Sequence, residues 1–321
     1  MTPFEILATD APFDFVTLSD ADLANLGLTP AEIADAIEDA IRMQAAGQLH
    51  APPKSGVLPG DGRYVMTTLS TGTTDDPTVV KVVSLQPKNP ARGLPAINGA
   101  ILVLDGETGL LRAVMGANWI TAVRTAGMSA VIAKRLANPL AKSIAFLGCG
   151  VQARAHLAAF SDLFPLSDLV AFGRGQTNID RLCAAASALG LDTRTAATPE
   201  DAMAGADIVV SAITRTAGMA PFVDARALKP GAFAAITDVA LPWIPEGLAA
   251  LDTVIIDDIA QEAKMDPPMV APDLVTGDMG SLVTGRIAAG YDSAKRAALI
   301  FRGQAFGDYA IAALALARAT G

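Results

Sequence analysis

Residues 143–153 read Ser-Ile-Ala-Phe-Leu-Gly-Cys-Gly-Val-Gln-Ala. A buried-strand pattern breaks there into Gly148-x-Gly150-x-x-Ala153 and then opens a helical pattern, the context a dinucleotide fingerprint requires. Gly148 permits the tight turn. Gly150 removes a side chain where a pyrophosphate would approach the backbone. Ala153 lets the helix pack closely on the sheet. The free N–H groups around Val151 and Gln152, with the positive end of the helix dipole, would hold the phosphates. An acidic residue that grips the adenosine ribose belongs about 20 residues further on. The sequence there is Phe172-Gly173-Arg174-Gly-Gln-Thr177, with no Asp or Glu at the tip. Gly173 leaves room and Arg174 offers a cation to a 2′-phosphate. NADP(H) is therefore expected, with NAD(H) as the alternative. The other candidates for chemistry are Lys81, set between two Val pairs, Arg124 beside Thr125, and Asp238 after the apolar run 233–237. His50 and His156 stand far apart, and Cys149 and Cys183 lack metal-ligand spacing, so no metal site is expected.

The fingerprint lies in mid-chain, so a sizeable unit must precede it. At 321 residues, half of them apolar, the chain suits about two domains. In the first, Thr29-Pro-Ala-Glu32 is a capping box with Pro at the first helical position. Ile33, Ile37 and Ile41 then mark one buried stripe of a helix ending near Gly47. Residues 50–62 read as loop, and 79–84, 100–105 and 110–114 as strands. From about 126, short apolar runs alternate with helices: 144–147, 169–172, 207–213, 233–237 and 254–256. This predicts a doubly wound parallel sheet covered on both faces. An Ala-rich helix over 305–319 would pack back onto the first part. The expected fold is α/β: a Rossmann unit over 126–295 and an α+β unit made of 1–125 with 296–321. A net charge of −9 with no basic stretch argues against a nucleic-acid partner. Two cysteines suggest a reducing compartment. No signal-peptide pattern and no uninterrupted membrane-length apolar run stand out, so a soluble cytoplasmic location is expected.

A second constellation sharpens this reading. Residues 116–130 contain Ile-Thr121-Ala-Val-Arg124-Thr125-Ala. Around them stand Val-Val-Lys81-Val-Val-Ser, Pro-Lys-Asn89-Pro, Gly93-Leu-Pro-Ala-Ile-Asn98-Gly and the tail Phe301-Arg-Gly-Gln-Ala-Phe-Gly-Asp308-Tyr. Together they resemble the ornithine cyclodeaminase/μ-crystallin family over nearly the whole chain. The resemblance implies an NAD(P)-dependent enzyme acting on a small α-amino or α-imino acid. Its carboxylate would be held by Lys81 and Arg124, which suits a guanidinium fork with an ammonium beside it. Lys54, in Ala-Pro-Pro-Lys-Ser, stands where the family has a third cation, an Arg. Asp238 matches the family's acid/base residue and would move the proton at the substrate nitrogen. Thr125 and Thr214 complete the expected cofactor-binding set with the fingerprint residues. The family's ornithine-specific carboxylate has no counterpart in Arg63-Tyr-Val-Met-Thr-Thr68, and its Pro-Gly-Lys after the Asp is replaced by Leu-Pro-Trp243. The favoured expectation is a ketimine reductase or amino-acid dehydrogenase. The alternatives are an ornithine cyclodeaminase and a non-catalytic NADPH-dependent binding protein. The resemblance further implies a homodimer through the first domain. His156, on the helix after the fingerprint, is expected to pack or cap. Asp257-Asp258 matches a family position near the nucleotide, with a solvated turn as the alternative.

Overall fold

The computed structural model describes residues 12–214 and 218–321. The first half begins with β1 (Val16–Leu18), α1 (Asp20–Ala24) and α2 (Pro30–Ala45). It continues with β2 (Ser55–Val57), β3 (Tyr64–Thr71), β4 (Thr78–Leu85), β5 (Ile97–Leu104), β6 (Leu111–Gly116) and α3 (Ala117–Leu136). Helix α2 starts where the capping box requires: Thr29 accepts from the Glu32 N–H while the Glu32 carboxylate accepts from the Thr29 N–H. Its Ile33, Ile37 and Ile41 are buried. The six strands form one sheet in the order β1-β6-β5-β4-β3-β2, antiparallel except for the β1–β6 pair.

The second half contains β7 (Ser143–Leu147), α4 (Val151–Leu163), β8 (Asp168–Phe172), α5 (Gln176–Ala188), β9 (Asp192–Thr195), α6 (Pro199–Met203) and β10 (Ile208–Ser211). It continues through β11 (Phe233–Ile236), β12 (Thr253–Ile256), α7 (Ile259–Glu262), β13 (Gly277–Asp278), α8 (Met279–Val283) and β14 (Ala297–Ile300). These eight strands make an all-parallel sheet in the order β13-β12-β14-β11-β10-β7-β8-β9. The chain leaves β7 toward β8 and β9, then returns to β10 on the other side of β7. That reversal opens a crevice at the carboxyl ends of β7 and β10, where doubly wound folds bind ligands. Helix α9 (Ala305–Thr320) crosses back to pack on α2, α3 and the first sheet.

Three expectations need correction. The segment 50–62 is not all loop, because Ser55–Val57 adds β2 to the edge of the first sheet through antiparallel pairing with Thr67–Val65. The boundary placed at 125/126 cuts helix α3, whose long apolar surface is buried against α2, α4 and α9 and so joins the two sheets. The boundary at 295/296 fails too. Residues 297–300 are not a lead-in to the last helix but a strand inserted between β11 and β12 of the parallel sheet. Ala-Ala-Leu-Ile is four residues long, and buried runs that short carry no periodicity of their own.

Candidate active site

Strand β4 alternates sharply. Val79, Lys81 and Val83 point inward and are buried, while Val80, Val82 and Ser84 point outward. Pleating puts Lys81 on the inner face whatever its charge, since a one-residue slip would expose the whole apolar set. Its ammonium meets Asp308 in the first turn of α9: Nζ donates to Oδ1 at 2.6 Å. The other Asp308 oxygen accepts from Thr68 Oγ1 at 3.0 Å. Arg124, in the middle of α3, brings its Nε to 3.4 Å from the same Oδ1, an ion pair without hydrogen-bond alignment. Lys81 and Asp308 are each only 1 % exposed. Burial pushes the Asp308 carboxyl up, but Lys81 and Arg124 outweigh it and hold it below its ordinary value. Burial pulls the Lys81 ammonium down, with Asp308 opposing.

Two glycines make space for the guanidinium. A Cβ at Gly303 would lie 3.0 Å from Arg124 Nη1, and one at Gly307 would lie 3.1 Å from Arg124 Cδ. Lys54, before β2, reaches across to the second half of the molecule, where its Nζ donates to the Arg302 carbonyl at 2.8 Å. Burial lowers its pKa, with Asp257 opposing. Asp257 lies just past β12 and accepts from the Arg302 and Gly303 N–H groups. Burial raises it to about 6. The solvated turn considered for the Asp257-Asp258 pair is therefore wrong for Asp257, while Asp258 caps α7. Arg302 is itself engaged, through Nε and Nη2, by the buried Glu262.

Asp238 follows β11 at the carboxyl edge of the sheet. Its Oδ2 accepts from Ser211 Oγ at 2.5 Å and from the Ile213 N–H at 3.0 Å. Burial raises it to about 6, against the pull of these donors. Its Oδ1 is buried without a hydrogen-bond partner. The next residues, Val239 and Leu241, line a cavity of about 720 Å³ together with Lys54, Tyr64, Leu85 and Arg302. That cavity therefore draws its walls from the first sheet and from loops of the second half.

The fingerprint behaves as its glycines require. Gly148 has φ +93°, and a Cβ on it would lie 2.6 Å from the Ala212 carbonyl oxygen across the β7–β10 crevice. A Cβ at Gly150 would meet nothing. Ala153 is fully buried. A cavity of about 400 Å³ opens here, lined by Gly148, Gly150, Gly173, Arg174, Asn178 and Thr214 among others. Val151 is exposed at the start of α4. Gln152 turns its Nε2 to the Thr121 carbonyl at 3.5 Å and leaves Oε1 unpartnered. Thr125 departs from the expected role in one respect. Its hydroxyl hydrogen is donated to the Thr121 carbonyl within α3, so only its lone pairs are available to a ligand. His156 is a fully buried packing residue, hydrogen-bonded to the Gln152 carbonyl and to Ser129 Oγ.

The structure thus joins Lys81 and Arg124 through one carboxylate that sequence reasoning left without a role. Asp308 is the only charged residue in the run 305–317, a signal available before any coordinates. It also assigns Ser211 and Trp243 to the surroundings of Asp238, which no sequence spacing indicated.

The family model described as "Ornithine cyclodeaminase/mu-crystallin family" matches residues 18–299. The nodulation efficiency protein NfeD of Rhizobium meliloti is 28% identical over 305 residues, 92% of each chain. The ketimine reductase mu-crystallin of Rattus norvegicus is 32% identical over 158 residues, 49% of each chain. Among solved structures, the Thermococcus litoralis Delta(1)-pyrroline-2-carboxylate reductase in complex with NADH and L-proline superimposes with a TM-score of 0.85. It is 22% identical, and the match covers 95% of this chain and 97% of that one. That likeness is one of fold.

Proposed function

The chain belongs to the ornithine cyclodeaminase/mu-crystallin family, and on that premise we propose that it is an NAD(P)-dependent oxidoreductase of a small α-imino or α-amino acid. The observation that carries this reading is the charge at the buried cluster. Two cations, Lys81 and Arg124, share one carboxylate, Asp308. An excess positive charge in a desolvated place calls for an anion, and a substrate carboxylate supplies it. Arg124 takes the carboxylate through its outer nitrogens. Lys81, which is fully enclosed, acts from behind by setting the charge and holding Asp308. Lys54 adds a third cation, at the cavity wall, as a point charge rather than a fork.

The open backbone at Gly150, the free N-terminus of α4 and the cavity beside Gly173 and Arg174 suit a dinucleotide. When bound, a reduced nicotinamide supplies hydride, two electrons, to the imine carbon and is left oxidised. The remaining requirement is one proton on the imine nitrogen. Asp238 supplies it from its carboxyl group and recovers it from solvent; in the oxidative direction its carboxylate removes that proton. A side chain raised to about 6 exchanges a proton readily near neutral pH.

The test is a panel of Δ1-pyrroline-2-carboxylate, Δ1-piperideine-2-carboxylate, iminosuccinate, and pyruvate with amines, each assayed with NADPH and NADH. Consumption of the reduced cofactor with at least one member is expected, and none with any would refute the reading. A second reading, cyclodeamination of a diamino acid, has one observation in its favour: Asp266 lines the 720 Å³ cavity and could hold a distal ammonium. That reaction releases ammonia with no net change in nicotinamide absorbance.

NADP(H) is the proposed cofactor form, because Arg174 is exposed, lines the nucleotide cavity and, among the described residues, forms no ion pair with a carboxylate. Arg174→Ser is expected to raise KM for NADPH roughly tenfold to a hundredfold, the worth of a charge-assisted hydrogen bond. KM for NADH should change little. Equal effects on both cofactors would remove the 2′-phosphate from this account.

A homodimer is proposed through the outer face of the first sheet. Leu69, Val80, Leu102 and Val114 form one cross-strand row there, and Val82 stands in the next. Leu69, Val82 and Leu102 are each more than a third exposed. A sheet face this apolar is suited to a self-complementary partner. Val82→Asp is expected to halve the mass seen by light scattering, and an unchanged mass would point to another interface.

A further inference from the structure

We propose that Ser211 and Trp243 are positioning residues that fix the Asp238 carboxyl group with one oxygen anchored and the other presented for proton transfer. The inference rests on the proposed role of Asp238 and adds to it the means by which that side chain is oriented. The indole Nε1 of Trp243 donates to Ser211 Oγ at 3.1 Å. Ser211 Oγ donates to Asp238 Oδ2 at 2.5 Å. An indole N–H can only donate. Ser211 Oγ must therefore accept from Trp243, which leaves its single hydrogen for Asp238. The chain of donors runs one way, from Trp243 to Ser211 to Asp238.

Both supporting side chains are buried, Ser211 at 0 % and Trp243 at 1 % exposure, so no solvent competes for these bonds. The backbone between the partners is bent to make the contact. Val239 and Ala240 have φ +59° and +55°, and neither is glycine. Such conformations persist only where the surroundings enforce them, and they cluster at functional sites. The turn is closed by the Trp243 N–H on the Ala240 carbonyl at 3.0 Å. It returns the indole to the end of β10. Asp238 Oδ1, in contrast, is buried and unpartnered.

The groups facing Asp238 are few. From the end of β10 come Ser211 Oγ and the Ile213 N–H, and from its own turn the N–H groups of Asp238 and Ala240, close enough to favour the anion. Among the described residues no Lys or Arg forms an ion pair with it. Hydrogen-bond donors therefore oppose the effect of burial, and loss of one must raise the pKa further.

The experiment compares Ser211→Ala, Trp243→Phe, the double variant and the conservative Ser211→Thr. The first readout is infrared titration of the carboxylic C=O stretch that disappears in Asp238→Asn. Its midpoint should rise by about one pH unit in Ser211→Ala. It should rise by less in Trp243→Phe, and no further when Trp243→Phe is added to Ser211→Ala. Ser211→Thr should restore the original midpoint. The second readout is kinetic, on whichever imine the wild-type enzyme reduces. Here kcat should fall roughly tenfold in Ser211→Ala with KM for the imine unchanged, and the pH limb reporting Asp238 should move up with the infrared midpoint. An unmoved midpoint in both single variants, or additive shifts in the double variant, would overturn the proposal. The infrared titration does not depend on turnover. If no imine is reduced but the midpoints move as described, the reaction assigned above fails while the positioning chain stands.

Discussion

Asp238→Asn is expected to lower kcat for imine reduction by about 10²- to 10⁴-fold, with KM for both substrate and NADPH within a few-fold of wild type. The amide is nearly isosteric, and its oxygen can still accept from Ser211 Oγ and the Ile213 N–H, so the turn after β11 should survive. What it cannot do is deliver or collect a proton, and that range is the usual worth of a positioned acid or base. The pH profile gives a second check. Burial holds the carboxyl at about 6, so in the reductive direction, which needs the protonated form, the wild-type rate should fall as pH rises past that value. In the oxidative direction the rate should fall as pH drops below it. Both limbs should vanish in the variant. A kcat within a few-fold of wild type would remove Asp238 from the mechanism.

Asp308→Asn is expected to be the most destabilising single change in the site. It leaves the Lys81 ammonium, 1 % exposed, without its only anionic partner among the described residues and places Arg124 beside it unopposed. Removing one member of a buried charge cluster costs about 3–5 kcal/mol. Chemical denaturation should show the loss as a lower midpoint with an unchanged slope. The second consequence is kinetic. Without Asp308 the Arg124 guanidinium is no longer held against α9, so KM for the imine should rise more steeply than kcat falls. Thr68→Val removes the weaker bond to Asp308 Oδ2 and should cost only about 1 kcal/mol by comparison. The carboxyl is held below its ordinary value in the folded state, so its stabilisation is complete above about pH 4 and disappears as pH falls through the lowered value. If Asp308→Asn melts like wild type, Lys81 must be neutral at that pH, and the excess charge ascribed to this cluster would be absent.

The parts that sequence reasoning found share a property: their signals are local. A strand that breaks at Gly148 and resumes as a helix at Val151 is written in eleven consecutive residues. The capping box and isoleucine stripe of α2 occupy thirteen more, and both stand in the structure as read. The misses are as uniform. Strand β14 is four apolar residues whose place between β11 and β12 is set by the sheet, not by its own pattern. The boundary drawn at 125 failed because α3 is a single helix serving both sheets, so no change in composition marks the crossing. Lys81 sits between two Val pairs, and an apolar neighbour on either side leaves its face undecided until the sheet pairs.

From sequence alone came the dinucleotide turn and what its spacing demands. Gly148 stands where φ must be positive, Gly150 where a side chain would obstruct, and Ala153 where a helix must lie close to a sheet. The absence of an acid after Phe172 was legible in the same way, since a missing charge needs no coordinates. Tertiary structure alone decided how the charges are shared. Lys81 and Asp308 are 227 residues apart, Lys54 and Arg302 are 248, and Trp243 and Ser211 are 32. Such pairs form because burying one polar group obliges another to follow it, and the chain supplies that partner from whatever element the packing brings alongside. The glycine turn is legible by itself because it would hold its proposed ligand with its own backbone. The cluster that would orient a substrate could not, because each of its members acquires a role only from the residue it meets.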